Sequence, residues 1–372
     1  APRAGPPAPP PRKGNRGTAA GEWTPARRGG GVPPTPGAPP WELFDAIPED
    51  IPIVVCDDSN GKLAPPPRPN VTYFDYAQQE AYSGVHYAAM PHKSAASRNF
   101  GHYWAWKEGF DVIIALDYDC RTRGDWLGDH LSCLTTVSDH PAVKPVVENG
   151  WVNSIESEDF FSRGYPYEFR TPELSAVQDV TASGAVKLNM GVWDNILDLN
   201  GVDKYWKEPH YDPGLRGDQN CVALGNIPVC GMNTAFAAEL TPAYYFLPDC
   251  WVNGTWQLSR HDDIWGGYIV KKLMDVNGDL FSYGRPVVEH TRQTPLERVT
   301  VLEQWMHLMS VPFYDIVDQA VTGLQPGSYV DLFAHFTEEF TRLVDKSPAP
   351  VHYRAIFAEL ADWMGRWSRA FQ

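Results

Sequence analysis

The sequence predicts an α/β fold with a mixed central sheet, followed by a helical C-terminal region. The runs "IPIVVC" (51–56) and "DVIIAL" (111–116) are apolar and rich in β-branched residues, and a helical pattern lies between them at 94–107. Strand, helix and strand in this order indicate a βαβ unit in a sheet that is at least partly parallel. Apolar residues recur at helical spacing in three later segments, 296–309, 329–345 and 351–371.

The composition limits the classes of function and the cellular compartments that fit this chain. The 372 residues carry a net charge of −15, which argues against a nucleic-acid partner because phosphate binding needs a basic surface. No apolar run approaches the ~18 residues of a membrane helix. The N-terminus lacks the apolar core of a signal peptide. Six widely spaced cysteines without a CxxC pair favour reduced thiols in a cytoplasmic protein.

The N-terminal segment differs from the rest of the chain. Residues 1–40 hold six basic side chains and one acidic side chain, a charge of +5, which leaves −20 for the remainder. Residues 1–38 are dominated by Pro, Gly, Ala and Arg and bury too little apolar area to offset the entropy of ordering them. We therefore expect a flexible tail at 1–38, a catalytic domain at 39–295 and a helical extension at 296–372.

Two acidic residues end the strand at 111–116. Asp117 and Asp119 are two positions apart, so on an extended strand their carboxylates point to the same side and repel each other. A divalent cation removes this repulsion, and hard oxygen ligands suit Mg²⁺ or Mn²⁺. The alternative is a solvated turn in which Asp119 lies near Arg121 and Arg123.

A second acidic pair, Asp262 and Asp263 in "SRHDDIWGGY", opens a predicted helix that closes at Asn277-Gly278. Acidic residues at this position complement the helix dipole and often have no other role. Beside a metal and diphosphate site, one of them could act as a general base. His290 follows another apolar strand and is either a third metal ligand or a structural histidine.

Several motifs in order resemble the reversibly glycosylated polypeptides, the family that includes the plant UDP-arabinopyranose mutases. The segments that carry the resemblance are "HKSAASRNFGHY" (92–103), "IIALDYDC" (113–120), "SRGYPYEFR" (162–170), "VCGMNTAF" (229–236), "RHDDIWGGY" (260–268) and "EHTRQTP" (289–295). Each motif is modest by itself, and their shared order over roughly 50–295 makes the resemblance specific.

This resemblance implies a glycosyltransferase A-type nucleotide-binding fold, a Mn²⁺ or Mg²⁺ ion, a UDP-sugar donor and, as in the plant relatives, a homo-oligomer. The implied metal ligands are Asp117, Asp119 and His290, and the implied catalytic residues are Arg163, Asp262 and Asp263. The implied contacts to the nucleotide sugar are Asp57, Asp58, Lys93, Arg98, Asp117, Arg170, Asn233 and Trp265. For Lys93 and Arg98 the alternative is a solvated helix face.

Arg163 occupies the position of the arginine that family members glycosylate on themselves, with Arg170 as the second arginine of that segment. A guanidinium stays protonated to above pH ~12, so a neighbouring carboxylate would have to orient it and accept a proton. The alternative is that Arg163 binds the diphosphate with both arms of its fork.

The sequence departs from the family at the first strand, where "RGGGVPPTPGAPP" (28–40) is a poor strand because proline cannot donate to a sheet.

The leading hypothesis is a metal-dependent glycosyltransferase that uses a UDP-sugar and modifies its own arginine. One alternative is a UDP-arabinopyranose mutase that uses the same site. The other is a non-catalytic glycan carrier or sugar-binding protein.

Overall fold

The computed structural model describes residues 20–23, 47–59, 68–117, 119–155, 157, 159–206, 220–291 and 295–372, with the backbone alone for 20–23 and 206. The strands are Ala20–Trp23 (β1), Ile53–Cys56 (β2), Val71–Phe74 (β3), Val112–Leu116 (β4), Cys120–Arg121 (β5), Ser138–Pro145 (β6), Val177–Gly184 (β7), Val186–Asn195 (β8), Cys221–Ala223 (β9), Asn233–Ala237 (β10), Cys250–Val252 (β11), Trp256–Leu258 (β12) and Leu280–His290 (β13). The α-helices are Tyr76–Ser83 (α1), Asn99–Lys107 (α2), Trp126–Cys133 (α3), Pro172–Ser175 (α4), Gly201–Trp206 (α5), Asp262–Asn277 (α6), Leu296–Val321 (α7), Tyr329–Val344 (α8) and Val351–Ser368 (α9).

One mixed sheet contains all of these strands except β11 and β12, which form a separate hairpin. Its order is β3-β2-β1-β4-β10-β8-β13-β9-β6-β7, and β5 pairs with β13. Strands β1 to β4 pair in parallel, whereas β10 runs antiparallel to both β4 and β8. The predicted α/β class, mixed sheet and helical C-terminal region are therefore confirmed.

The place of β1 was not predicted. Ala20–Trp23 lies between β2 and β4 and pairs with both in parallel, so β2 and β4 are not neighbours. These four residues belong to the segment 1–38, most of which was expected to be flexible, and they form a strand. The remainder of that segment, with the unusual stretch 28–40, lies outside the described residues.

The helices follow local signals in the sequence. Helix α6 begins at Asp262 and ends at Gly278, whose φ of +72° is the left-handed conformation that glycine adopts readily. Helix α7 is longer than predicted, because it continues through Pro312 to Val321. Its continuation is supported by packing, since Phe313 stacks on Trp265 of α6 with ring centroids 4.2 Å apart.

The C-terminal helices share one apolar core with the sheet. The indole of Trp367 in α9 stacks on Tyr245 at 5.0 Å and donates to the carbonyl of Pro242 at 3.0 Å. Buried residues from β2, β4, α6 and α7 to α9 belong to the same cluster. No helix among the described residues has the length and apolar character needed to cross a membrane.

Candidate functional site

A polar cavity of about 200 Å³ lies beyond the carboxyl end of β4. Its cationic lining residues are Lys93, Arg98, Arg163, Lys204, Arg260 and Arg298. Its acidic lining residues are Asp117, Asp119, Asp198, Asp249, Asp262 and Asp263, with His290 beside them. The carboxyl edge of parallel strands is the usual ligand site of open α/β sheets. Eight of the predicted site residues therefore meet in one place.

Asp117 is paired with Arg98. An Oδ1 atom of Asp117 lies 2.6 Å from the NH2 atom of Arg98, which also donates through NH1 to the carbonyl of Gly231 at 3.3 Å. Strand β4 delivers the aspartate, and the turn of 3₁₀-helix before α2 delivers the arginine. Arg98 is buried, so the alternative of a solvated helix face does not apply to it.

Asp119 and His290 face each other across the end of β13. The Nε2 atom of His290 lies 3.9 Å from Oδ2 of Asp119, and its Nδ1 donates to the carbonyl of Ile196 at 2.7 Å. The hydrogen bond to Ile196 fixes the tautomer of the neutral imidazole, in which Nε2 carries the lone pair, as in many metal-binding histidines. Burial first, and then the charge of Asp117, raise the pKa of Asp119 to about 6.

The predicted metal ligands Asp117, Asp119 and His290 all line this cavity. Among the described residues, no three or more His, Cys, Asp or Glu side chains are arranged to hold a metal ion by themselves. The donor chemistry still fits a hard divalent cation, because two carboxylates and one oriented imidazole line the same cavity. Such an ion would need further ligands from a substrate, and the metal set stays a prediction.

Arg163 is held on three sides. Its Nε donates to Oδ2 of Asp198 at 2.6 Å, its NH2 donates to Oδ2 of Asp263 at 2.6 Å, and its NH1 donates to the carbonyl of Arg260 at 2.8 Å. Burial lowers the pKa of this guanidinium, but the charges of Asp198 and Asp263 outweigh burial and raise it well above its ordinary value. The side chain is thus a fixed, fully protonated cation.

Asp198 is the centre of a larger ion network. Besides Arg163, it lies 3.4 Å from Arg260 and 3.9 Å from Lys204. Burial would raise the pKa of Asp198, but Arg163, Lys204 and Arg260 together lower it. Arg260 continues the network to Glu303 of α7, at 2.6 Å from its Nε. The C-terminal helical region therefore reaches the wall of the cavity.

Asp262 and Asp263 differ in environment although they are adjacent. Oδ2 of Asp263 accepts from Arg163 and from the N–H of Gly231 at 2.9 Å, while its Oδ1 has no hydrogen-bond partner in the described part of the chain. Burial first, and then the charge of Asp263, raise the pKa of Asp262 to about 7. A buried carboxyl group with such a pKa can both give and accept a proton near neutral pH.

Two lining residues have strained backbones. Lys93 has φ +60° and Arg260 has φ +61°, whereas the other described non-glycine residues with positive φ are asparagines. Asparagine tolerates the left-handed region, but Lys and Arg adopt it at a cost of order 1–3 kcal/mol. Both strained residues line the cavity, and strain of this kind concentrates at functional sites.

The two aspartates after β2 are buried beside the cavity without lining it. Asp57 accepts from the hydroxyl of Tyr73 at 2.6 Å, and Asp58 accepts from Tyr76 at 2.8 Å. Asp58 also accepts from the backbone N–H of Lys93 at 2.9 Å. Asp58 therefore supports the strained turn that presents Lys93 to the cavity.

Three further predicted contacts to the nucleotide sugar lie outside the cavity lining. Asn233 is fully buried, and its amide joins Trp126, His130 and Pro286. Trp265 is fully buried and donates to Ser310 of α7 at 3.0 Å. Arg170 pairs with Asp203 at 2.8 Å and stacks on Tyr167. In the described structure these side chains bond to neighbouring residues outside the cavity lining, and their contact with the nucleotide sugar stays a prediction.

The predicted site residues did not include five charged residues that line the cavity, or Glu303, which pairs with one of them; the five are Asp198, Lys204, Asp249, Arg260 and Arg298. Asp198 and Lys204 follow β8 in a stretch without a recognisable motif. Arg298 offered a weak signal, because a cation in the first turn of a helix opposes the helix dipole and needs another reason to be there.

Comparison with known proteins agrees with the motifs. The sequence model of the family described as "Reversibly glycosylated polypeptide" matches residues 47–372. The chain belongs to this family. The resemblance drawn from the motifs is therefore confirmed, and it extends through the C-terminal helices.

The relatives of this chain include three proteins of Arabidopsis thaliana. It is 26% identical to UDP-arabinopyranose mutase 1 over 293 residues, which cover 75% of this chain and 73% of the relative. It is 24% identical to UDP-arabinopyranose mutase 2 over 345 residues, 89% of this chain and 86% of the relative. It is 28% identical to UDP-arabinopyranose mutase 3 over 206 residues, 54% of this chain and 52% of the relative.

Proposed function

We propose that this chain is a UDP-sugar mutase that interconverts the pyranose and furanose forms of UDP-arabinose, on a glycosyltransferase A-type fold. The observation that carries the proposal is one cavity that combines acidic residues at the end of β4, several cations and a carboxyl group with a pKa of about 7. The names of its relatives favour this activity over the glycosyltransferase that the motifs first suggested.

Ring contraction sets the chemical requirements. The bond between C1 and the diphosphate breaks, O4 bonds to C1, the bond between C1 and the ring oxygen O5 breaks, and the diphosphate bonds to C1 again. The hydroxyl proton of O4 is lost and a proton is gained at O5, so one group that exchanges protons near neutral pH serves both events. Asp262 has the pKa for this role and lines the cavity.

Positive charge is needed where the diphosphate separates from the sugar. Arg98, held by Asp117, and Lys93, presented by its strained turn, supply it from the chain. A Mn²⁺ or Mg²⁺ ion bound through Asp117, Asp119 and His290 would neutralise the leaving diphosphate. A volume of about 200 Å³ is below the ~300–1,000 Å³ of most ligand pockets, so we assign this cavity to the sugar and diphosphate.

Self-glycosylation on Arg163 is the second candidate. It is favoured by the two carboxylates at 2.6 Å, which could accept the proton that the guanidinium must lose. The raised pKa of Arg163 opposes it, because the same carboxylates stabilise the protonated form. The geometry therefore supports Arg163 better as a residue that positions Asp263 beside Asp262.

The test is incubation with UDP-arabinopyranose and Mn²⁺, followed by chromatography of the sugar nucleotides and intact-mass measurement of the protein. We expect UDP-arabinofuranose, its loss in Asp262→Asn, and a limb of the pH–rate profile near pH 7 in the native protein. A protein that gains one sugar mass and yields no furanose product would establish transfer instead. If UDP binds but neither the native protein nor any variant forms a product, the protein is a non-catalytic binder.

The metal has its own test. Calorimetric titration of Mn²⁺ in the presence of UDP should give binding that weakens 10–100-fold in His290→Gln and more in Asp119→Asn, as for other changes at or next to metal ligands. Equal Mn²⁺ affinity in all three proteins would remove these residues from the metal site while leaving the mutase activity open.

A further inference from the structure

The cations of the cavity fall into two groups. Arg98, Arg163 and Arg260 each lie within 2.6 Å of a carboxylate oxygen, so their charge is largely neutralised inside the protein. The other group consists of Lys93, Lys204 and Arg298. This second group is the source of positive charge that a bound anion can use.

Arg298 has no hydrogen bond or ion pair with any residue that the structure describes, and its side chain lines the cavity together with Leu302 one turn later. It lies in the first turn of α7, where the helix dipole disfavours a cation. No structural gain therefore explains this arginine. A guanidinium that faces a cavity with its donors available is suited to a phosphate group.

The contact between α5 and α7 places Lys204 at the same side of the cavity as Arg298. The N–H of Gly201, at the start of α5, donates to Glu303 at 2.7 Å. Gly201 also lies so close to α7 that a Cβ atom would be 2.9 Å from the backbone nitrogen of Thr300. Lys204 is one turn after Gly201, and Arg298 is two residues before Thr300. One helix contact thus places both cations.

The charge on Lys204 is only partly balanced. Its Nζ is 3.9 Å from Oδ1 of Asp198, which already pairs with Arg163 and Arg260. Burial lowers the pKa of Lys204 more strongly than Asp198 raises it. An anion in the cavity would restore a favourable environment for this ammonium group.

We propose that Arg298 and Lys204 form a phosphate-binding wall that holds the diphosphate of the nucleotide sugar. The contact between α5 and α7 places these two cations at the same side of the cavity. This inference deepens the proposed mutase function and rests on it. It makes the C-terminal helical region part of the substrate site, because α7 supplies both a cation and the carboxylate that anchors Arg260.

The test compares two ligands, UDP and uridine, by calorimetry at saturating Mn²⁺ in the full chain. Arg298→Gln and Lys204→Gln should each weaken UDP binding 10–100-fold, the range of a lost charge-assisted hydrogen bond. Uridine lacks phosphates, so its affinity should stay within twofold. Arg342→Gln, which removes an exposed arginine of α8, is the matched control and should leave both affinities unchanged.

The melting temperature separates a binding role from a structural one. Arg298→Gln removes a cation that the helix dipole disfavours, so the melting temperature should be equal to or above that of the native protein. Arg298→Met keeps the apolar stem of the side chain and gives a second neutral variant with the same expected loss of UDP binding.

Distinct results separate the two proposals. If the native protein makes UDP-arabinofuranose and both Arg298 variants keep its UDP affinity within twofold, the phosphate-binding wall is wrong and the mutase proposal stands. If the variants lose uridine and UDP equally, the wall is also wrong, because the effect is not on phosphate. If the native protein binds no UDP, both proposals fail.

Discussion

Arg163 and Asp198 are joined twice, once by side chains and once by backbones. Nε of Arg163 donates to Oδ2 of Asp198 at 2.6 Å, and the backbone N–H of Arg163 donates to the backbone carbonyl of Asp198 at 2.9 Å. Both side chains are buried. The double connection fixes a residue of the family's arginine motif against a residue that no motif identifies.

Asp198→Asn should destabilise the fold strongly. The substitution leaves Arg163 with one carboxylate and weakens the charge balance of Arg260 and Lys204, and removing one partner of a buried pair costs about 3–5 kcal/mol. Urea unfolding measures this change. Asp362→Asn is the control, because the exposed pair of Asp362 with Arg366 is worth less than ~0.5 kcal/mol. Equal midpoints for the two variants would contradict the prediction.

The raised pKa of Asp262 predicts how stability depends on pH. The folded protein holds this proton up to about pH 7, whereas the unfolded chain releases it near its ordinary value of 3.8. Between these values the folded state binds more protons, so stability falls as pH rises, by up to about 1.4 kcal/mol per pH unit. Asp262→Asn should remove this contribution, and urea unfolding between about pH 6 and 7 measures it with the least overlap from Asp119, whose pKa is raised to about 6. A variant with the same slope as the native protein would show that Asp262 ionises normally.

Gly201→Ala should disturb the contact between α5 and α7. A Cβ atom there would lie 2.9 Å from the nitrogen and Oγ1 of Thr300, and the backbone must move to admit it. Overpacking of this kind costs about 1–3 kcal/mol, and UDP affinity should fall with it because Lys204 and Arg298 separate. Gly327→Ala is the control, since the nearest atom to its added Cβ would be 3.9 Å away. If Gly201→Ala keeps the stability and the UDP affinity of the native protein, the contact between α5 and α7 is not needed for UDP binding.

Deletion of residues 1–24 should cost the protein its solubility. The deletion removes β1, which pairs with Ile53–Val55 on one side and Ile113–Ala115 on the other, and leaves each of these two apolar strands without a partner on one edge. Deletion of residues 1–16 keeps β1 and should give soluble protein, as the composition of that segment predicts. Soluble yield and size-exclusion chromatography distinguish the outcomes. Equal behaviour of the two truncations would argue against a structural role for β1.

Local patterns were enough for much of the fold. Strands β2 and β4, helices α2 and α6 and the C-terminal helices were predicted, because apolar periodicity and turn residues act within a few positions of each other. The aspartates after β4 were located for the same reason, since a strand places residues two apart on one side. The order of the motifs identified the family.

The tertiary structure decided the rest. Asp198, Lys204 and Arg298 join the cavity through ion pairs and a helix contact between distant segments, which no local pattern encodes. Asn233 and Trp265 lie in family motifs, yet both are buried outside the cavity lining. By itself, the sequence determined the main strands and helices named above, the family and the acidic centre of the site. Which cations face that centre depended on packing across the whole chain, because electrostatic contacts act through space and not along the sequence.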